Sequence, residues 1–105
     1  MARARIAAGD VPAASAVAWH EFVRGSMSKR DTTRAGIWLD EKIVPMDRDA
    51  AERAALLFRE TGSRRRSTAD CLIAATAIQW GAVLLTAIRD DFVRFERHGL
   101  KLPTP

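Results

Sequence analysis

The chain has 105 residues, 48% of them hydrophobic and 29% charged, with one cysteine, two histidines and a formal net charge of +4. That fits one small globular domain spanning 1–105; it excludes an intramolecular disulfide and a Cys-rich zinc site, and His20 and His98 stand too far apart to suggest a His-based one. No apolar run approaches the roughly 20 residues of a membrane span, and Met1–Ala8 carries arginines without the apolar stretch of a signal peptide, so a soluble, cytoplasmic protein is expected.

Met1–Ala8, rich in Ala and Arg, reads as helical and stops at Gly9-Asp10-Val11-Pro12. No capping signal precedes it, as in the tail of a helix whose beginning is absent. Ala13–Ala18 is a run of small residues compatible with a strand buried on both faces, and Trp19–Arg24 continues into a helix ending near Gly25. Ser26–Gly36 holds the cluster Lys29-Arg30-Asp31-Thr32-Thr33-Arg34 and reads as a loop or the start of the next helix. Ile43–Met46, interrupted by Pro45, suits an edge strand, where a missing backbone donor costs least. Asp47 or Asp49 then caps a helix whose Ala51, Ala55 and Phe58 share a face, with Ala54 and Leu57 beside them and Gly62 as the stop.

Ser63–Thr68, with Arg64-Arg65-Arg66, reads as an exposed basic loop. Ala69–Trp80 is a second strong helix closed by Gly81, and Ala82–Thr86 is a continuous apolar run suited to a buried parallel strand. Leu100-Lys101-Leu102 follows Gly99 as a final short strand. Strand and helix signals alternate, so the expected fold class is α/β with a mostly parallel sheet.

Acidic residues stand where apolar elements begin or end. Glu21 follows the Ala13–Ala18 segment, Asp70 opens the Ala69–Trp80 helix, and Asp90-Asp91 come after the Ala82–Thr86 strand. The crevice at the carboxyl ends of parallel strands is where such sheets bind ligands. Carboxylates converging there repel one another, and a hard divalent cation, Mg²⁺ or Mn²⁺, is the usual compensation. Such an ion activates water and neutralises a phosphate oxygen. The plainer readings stand beside this one: Asp70 as a helix cap, Glu21 as a solvated helix residue, Asp90-Asp91 as an acidic turn, Arg64–Arg66 as a solvated loop. Cys71 reads as a small core residue, and Trp19, Trp38 and Trp80 as core or half-buried packing residues. The basic balance makes nucleic acid the first anionic partner to consider, although thirteen acidic residues are interspersed with the basic ones.

The order of Ala-Ser-Ala-Val-Ala-Trp-His-Glu-Phe-Val-Arg-Gly (14–25), Ile-Val-Pro-Met-Asp (43–47), Ala-Asp-Cys-Leu-Ile-Ala-Ala-Thr-Ala (69–77), Leu-Leu-Thr-Ala-Ile-Arg-Asp-Asp-Phe-Val-Arg-Phe (84–95) and Gly-Leu-Lys-Leu (99–102) resembles the PIN-domain ribonucleases, in particular VapC-type toxins of toxin–antitoxin pairs. The resemblance implies a PIN-like three-layer α/β fold and an Mg²⁺- or Mn²⁺-dependent endoribonuclease. It places Glu21 and Asp70 as metal-binding catalytic carboxylates, with Asp91 a further one acting through a water and Asp90 as its fallback. Arg24 and Arg64–Arg66 would hold the RNA backbone. RNA substrate, a cognate antitoxin protein and a second copy of the chain, as a homodimer, are the implied partners, with no membrane.

The chain departs from the family pattern in two places. Ile88 stands where the family usually has Asn or Asp, and no apolar strand ending in Asp-Thr or Asp-Ser, with its following helix, precedes Asp10. In the family that strand lies in mid-sheet, between those matched by Ala13–Ala18 and Ala82–Thr86. The expectation is therefore an N-terminally truncated domain whose two inner strands lack their common partner. The alternative function is a catalytically impaired module that binds an antitoxin or sister subunit without cutting RNA.

Overall fold

The computed structural model describes residues 4–8, 11–25, 28–39, 42–62, 67–86 and 88–103, with the backbone alone described at 4–8, 11, 12, 38 and 39. In chain order the elements are β1 (Ala4–Ala8), β2 (Val11–Ser15), α1 (Ala16–Arg24), α2 (Lys29–Leu39), β3 (Ile43–Val44), α3 (Arg48–Glu60), α4 (Thr68–Gln79) and β4 (Val83–Thr86). Two short 3-10 helices, Arg89–Asp91 and Val93–His98, complete the chain. The result is the α/β architecture expected from the alternation of signals, and it fits the PIN-like fold that the resemblance implies.

The sheet order is β3-β2-β1-β4. β1 pairs antiparallel with β2, Ile6 opposite Ala13, and antiparallel with β4, Ile6 opposite Leu84. β2 and β3 pair in parallel, so β2, β3 and β4 all point one way and β1 alone runs against them. Connection length accounts for this: only residues 9 and 10 separate β1 from β2, enough for a hairpin and too few for a crossover, whereas α1 and α2 carry the chain from β2 to β3.

The helical reading of Met1–Ala8 is thereby corrected over Ala4–Ala8, which is a strand. Ala and Arg are good helix formers, but propensity amounts to less than about 1 kcal/mol per residue and pairing on both edges outweighs it. The same strand overturns the expectation that the inner strands lack a common partner, because β1 fills that place in reverse direction. Asp10 lies outside the described residues. A second correction concerns Ala13–Ala18: the strand ends at Ser15, whose Oγ accepts a hydrogen bond from the Ala18 backbone N–H at 3.0 Å and so caps α1 from Ala16 onward. Ser26–Gly36 resolves toward helix, as α2.

α3 begins at its cap Asp47, whose Oδ1 accepts from the Ala50 backbone N–H at 2.8 Å, while Gln79 Nε2 at the end of α4 donates to Oδ2 at 2.8 Å. With its start fixed in this way, α3 buries Ala50, Ala54 and Leu57. The expected face is corrected accordingly: Ala51 and Ala55 are exposed and Phe58 is half-buried. α4 buries Cys71, Ile73, Ala74, Ala75, Thr76 and Ala77, residues spread over its whole circumference, because α3, α1, β2 and β4 all pack against it. Its one buried hydroxyl, Thr76 Oγ1, donates back to the Leu72 carbonyl at 2.9 Å.

Gly81, at φ +62°, takes the left-handed conformation that the tight turn from α4 into β4 requires. Beyond β4, Phe92 and Phe95 close the core, their ring centroids 6.1 Å apart, and Leu84 and Phe95 are fully buried. The expected strand at Leu100–Leu102 reduces to one parallel bridge between Lys101 and Val83, with the Leu84 N–H donating to the Lys101 carbonyl at 2.9 Å. Trp80 is 57% exposed, against the expectation of a packing role. Trp19 is half-buried, stacked on Phe22 at 5.6 Å; the Trp38 side chain lies outside the described set. Among the described residues no helix is long and apolar enough to cross a membrane.

Candidate active site between α1 and α4

Because β2 gives way to α1 at Ser15, the first turn of α1 lies at the carboxyl end of a central strand, the place where open α/β sheets put their ligands. The first turn of α4 comes up beside it. Between them is a cavity of about 580 Å³ lined by Ala16, Val17, His20, Glu21, Arg24, Thr68, Ala69 and Leu72. Its polar groups come from α1 and from Thr68, and Ala13, Val17 and Leu72 continue the apolar core beneath.

Glu21 lies within α1, not directly after a strand, and is half-buried in the cavity wall. Its Oε2 is 3.7 Å from Nη2 of Arg24, one turn further along and 67% exposed. Asp70 follows Ala69 of the lining in the first turn of α4; the cap position itself belongs to Ser67, so the reading of Asp70 as the cap is corrected, and its charge complements the helix dipole instead. The Asp70 carboxylate is partly buried, with Oδ2 3.8 Å from Nη2 of Arg94.

Arg94 is the residue that sequence reasoning missed. It stands in the second 3-10 helix, and its Nη1 donates to the backbone carbonyl of Asp91. Its guanidinium carbon lies 4.3 Å over the Phe95 ring, and its side chain is 23% exposed. One guanidinium thus links the first turn of α4 to the turn carrying Asp91. Its sequence trace is its position three residues after Asp91, the spacing of one turn of 3-10 helix.

Asp90 and Asp91 are both exposed in the first 3-10 helix, directly after β4. That turn is fixed by the Ile88 N–H donating to Thr86 Oγ1 at 3.0 Å and by Arg89 Nη1 donating to the Pro103 carbonyl at 2.6 Å. Ile88 itself is exposed. Arg64, Arg65 and Arg66 lie outside the described residues. Among the described residues, no group of three His, Cys, Asp or Glu side chains is close enough together to hold a metal ion. Glu21 therefore lines the cavity, Asp70 stands next in sequence to its lining residue Ala69, and Asp91 is joined to Asp70 through Arg94 and not by shared coordination geometry.

Cys71 sits behind the site, 1% exposed, its Sγ 3.9 Å from Ser67 Oγ. Burial pushes its thiol up from the ordinary value, which suits the expected packing role and not a nucleophile.

The fold is that of an α/β domain with a cavity at the carboxyl end of a central strand, lined in part by Glu21. The PIN domain family matches residues 1–97, and the chain belongs to that family. No curated protein matches the chain. PIN domains are nucleases, generally dependent on divalent metal ions. The chemistry of Glu21 and Asp70 fits such an ion: both are hard oxygen donors, and Mg²⁺ commonly binds through one or two carboxylates while retaining waters.

Proposed function

We propose that this chain is a metal-dependent endoribonuclease of the VapC type, the toxin of a toxin–antitoxin pair. The observation that carries the reading is a half-buried carboxylate, Glu21 on α1, in the wall of a cavity beside the carboxyl end of β2, with a second half-buried carboxylate, Asp70, next to the lining residue Ala69 in the first turn of α4. In this reading Glu21 and Asp70 hold Mg²⁺ or Mn²⁺, and Asp91, or failing it Asp90, contributes from the turn after β4. The ion, when bound, supplies an activated water and neutralises a phosphate oxygen. Arg24, at the mouth of the cavity, and Arg64–Arg66 hold the RNA backbone by charge, without reading base identity. Ser15 holds the start of α1 in place, and through it the approach of Glu21.

The partners proposed with this activity are RNA, a cognate antitoxin and a second copy of the chain, in the cytoplasm. PIN domains generally bind RNA and often partner with antitoxins. A second reading is favoured by one observation: no three-carboxylate group forms among the described residues. In that reading the chain is a catalytically impaired module that engages an antitoxin or sister subunit without cutting RNA.

Incubation of the purified protein with a structured RNA separates the two. Cleavage that appears with Mg²⁺ or Mn²⁺ and stops with EDTA is expected. Absence of cleavage, with a retained capacity to form a stable protein complex, would favour the second reading.

A further inference from the structure

Glu21 and Asp70 each face an arginine, but the two arginines differ in kind. Arg24 is 67% exposed and reaches Glu21 from the same helix, so solvent and side-chain freedom let it swing away. Arg94 is 23% exposed and is held by contacts that do not involve Asp70: Nη1 donates to the Asp91 carbonyl, and the guanidinium lies 4.3 Å over the Phe95 ring, itself fully buried. Its Nε is buried with no hydrogen-bond partner among the described residues. At 3.8 Å, the approach to Asp70 is an ion-pair distance and longer than a hydrogen bond. Its effect on Asp70 is therefore that of a fixed positive charge more than of an orienting donor.

We propose that Arg94 is a built-in competitor for Asp70: its fixed guanidinium disfavours a divalent cation at that carboxylate and so keeps metal affinity at the site weak. The inference rests on the reading of Glu21 and Asp70 as metal carboxylates. A cation arriving at Asp70 meets a like charge across a few ångströms, and the repulsion is only partly screened where both side chains are largely buried. Arg94 is in this sense a positioning residue of the site, acting on metal occupancy through Asp70.

The test is titration with Mn²⁺, free ion being followed by electron paramagnetic resonance, on the wild type, Arg94→Gln, Arg94→Met and Arg94→Lys. Gln keeps an amide donor for the Asp91 carbonyl without the charge, Met keeps an apolar stem on Phe95, and Lys keeps the charge; near-ultraviolet circular dichroism reports whether each is folded. Loss of the charge is expected to tighten Mn²⁺ binding about five- to twentyfold, from the Coulomb energy of a unit and a double charge a few ångströms apart in a watery site. Arg94→Lys should stay within about twofold of wild type, and 1 M salt should narrow the gap. A folded Gln or Met variant that binds Mn²⁺ no more tightly than wild type overturns the inference and leaves the metal reading standing. If neither the wild type nor any variant binds Mn²⁺, both are overturned.

Discussion

Asp47 does two jobs with one side chain. It caps α3 through the Ala50 N–H and anchors the end of α4 through Gln79, and these bonds, the backbone one foremost, hold its carboxyl below the ordinary value of 3.8. A carboxyl lowered in the folded state contributes stability that is present in full above its unfolded value and lost as pH falls through the folded one. Melting curves between about pH 5 and 3 should therefore show a shallower loss of stability for Asp47→Asn, which keeps a capping oxygen but does not titrate, than for wild type. Parallel slopes would contradict this role. Cys71 gives a second expectation at this scale. Buried at 1% exposure with its thiol pushed up, it should react with a thiol reagent only as fast as the protein opens, and denaturant should release the reaction. Fast labelling of the native protein would contradict its place in the core. Asp70 was legible in the sequence as an acidic residue at a helix start, whereas Glu21, read as following a strand, stands inside α1 because that helix begins at Ala16. Arg94 was not, because its partner Asp70 is brought to it only by the packing of α4 against the chain's last turns.

Among the elements, α4 and the existence of β4 were the most legible, since largely apolar stretches separated by Gly81 have few other solutions, but β4, read as a buried parallel strand, pairs antiparallel with β1 and buries only Leu84 fully. The face of α3 was less so. Ala50, Ala51, Ala54 and Ala55 offer two similar small-residue faces, and the cap at Asp47 with the latch to Gln79 decides between them. β1 was misread for a different reason. Its composition favours helix, while the signals for a strand, Arg3 and Arg5 alternating with Ala4 and Ile6 and a two-residue gap before the next strand, are short and easily outvoted. Because β1 is bonded on both edges and β3 on one, Ile6→Pro should destabilise the protein much more than Val44→Pro, a comparison that denaturant titration makes directly. Slowly exchanging amides in Ala4–Ala8 would agree; equal effects of the two prolines would contradict the mid-sheet placement.

At the scale of the molecule, a family known for metal-dependent cleavage is here carried by a chain with a reversed central strand and a site bordered by two carboxylates and two arginines. The net charge of +4 supports attraction to an RNA backbone at long range, and that attraction weakens with salt. Charge alone does not cut a phosphodiester, so cleavage depends on the carboxylates. The decisive measurement is the rate of cleavage of an end-labelled structured RNA by wild type and by Asp70→Asn, each with Mn²⁺ and with EDTA, both proteins being shown to melt alike. The account predicts cleavage by the wild type with Mn²⁺ and a loss of about a hundredfold or more in Asp70→Asn, of the size expected when a group serving the transition state is removed. Equal rates for the two proteins, or cleavage that persists in EDTA, would contradict it.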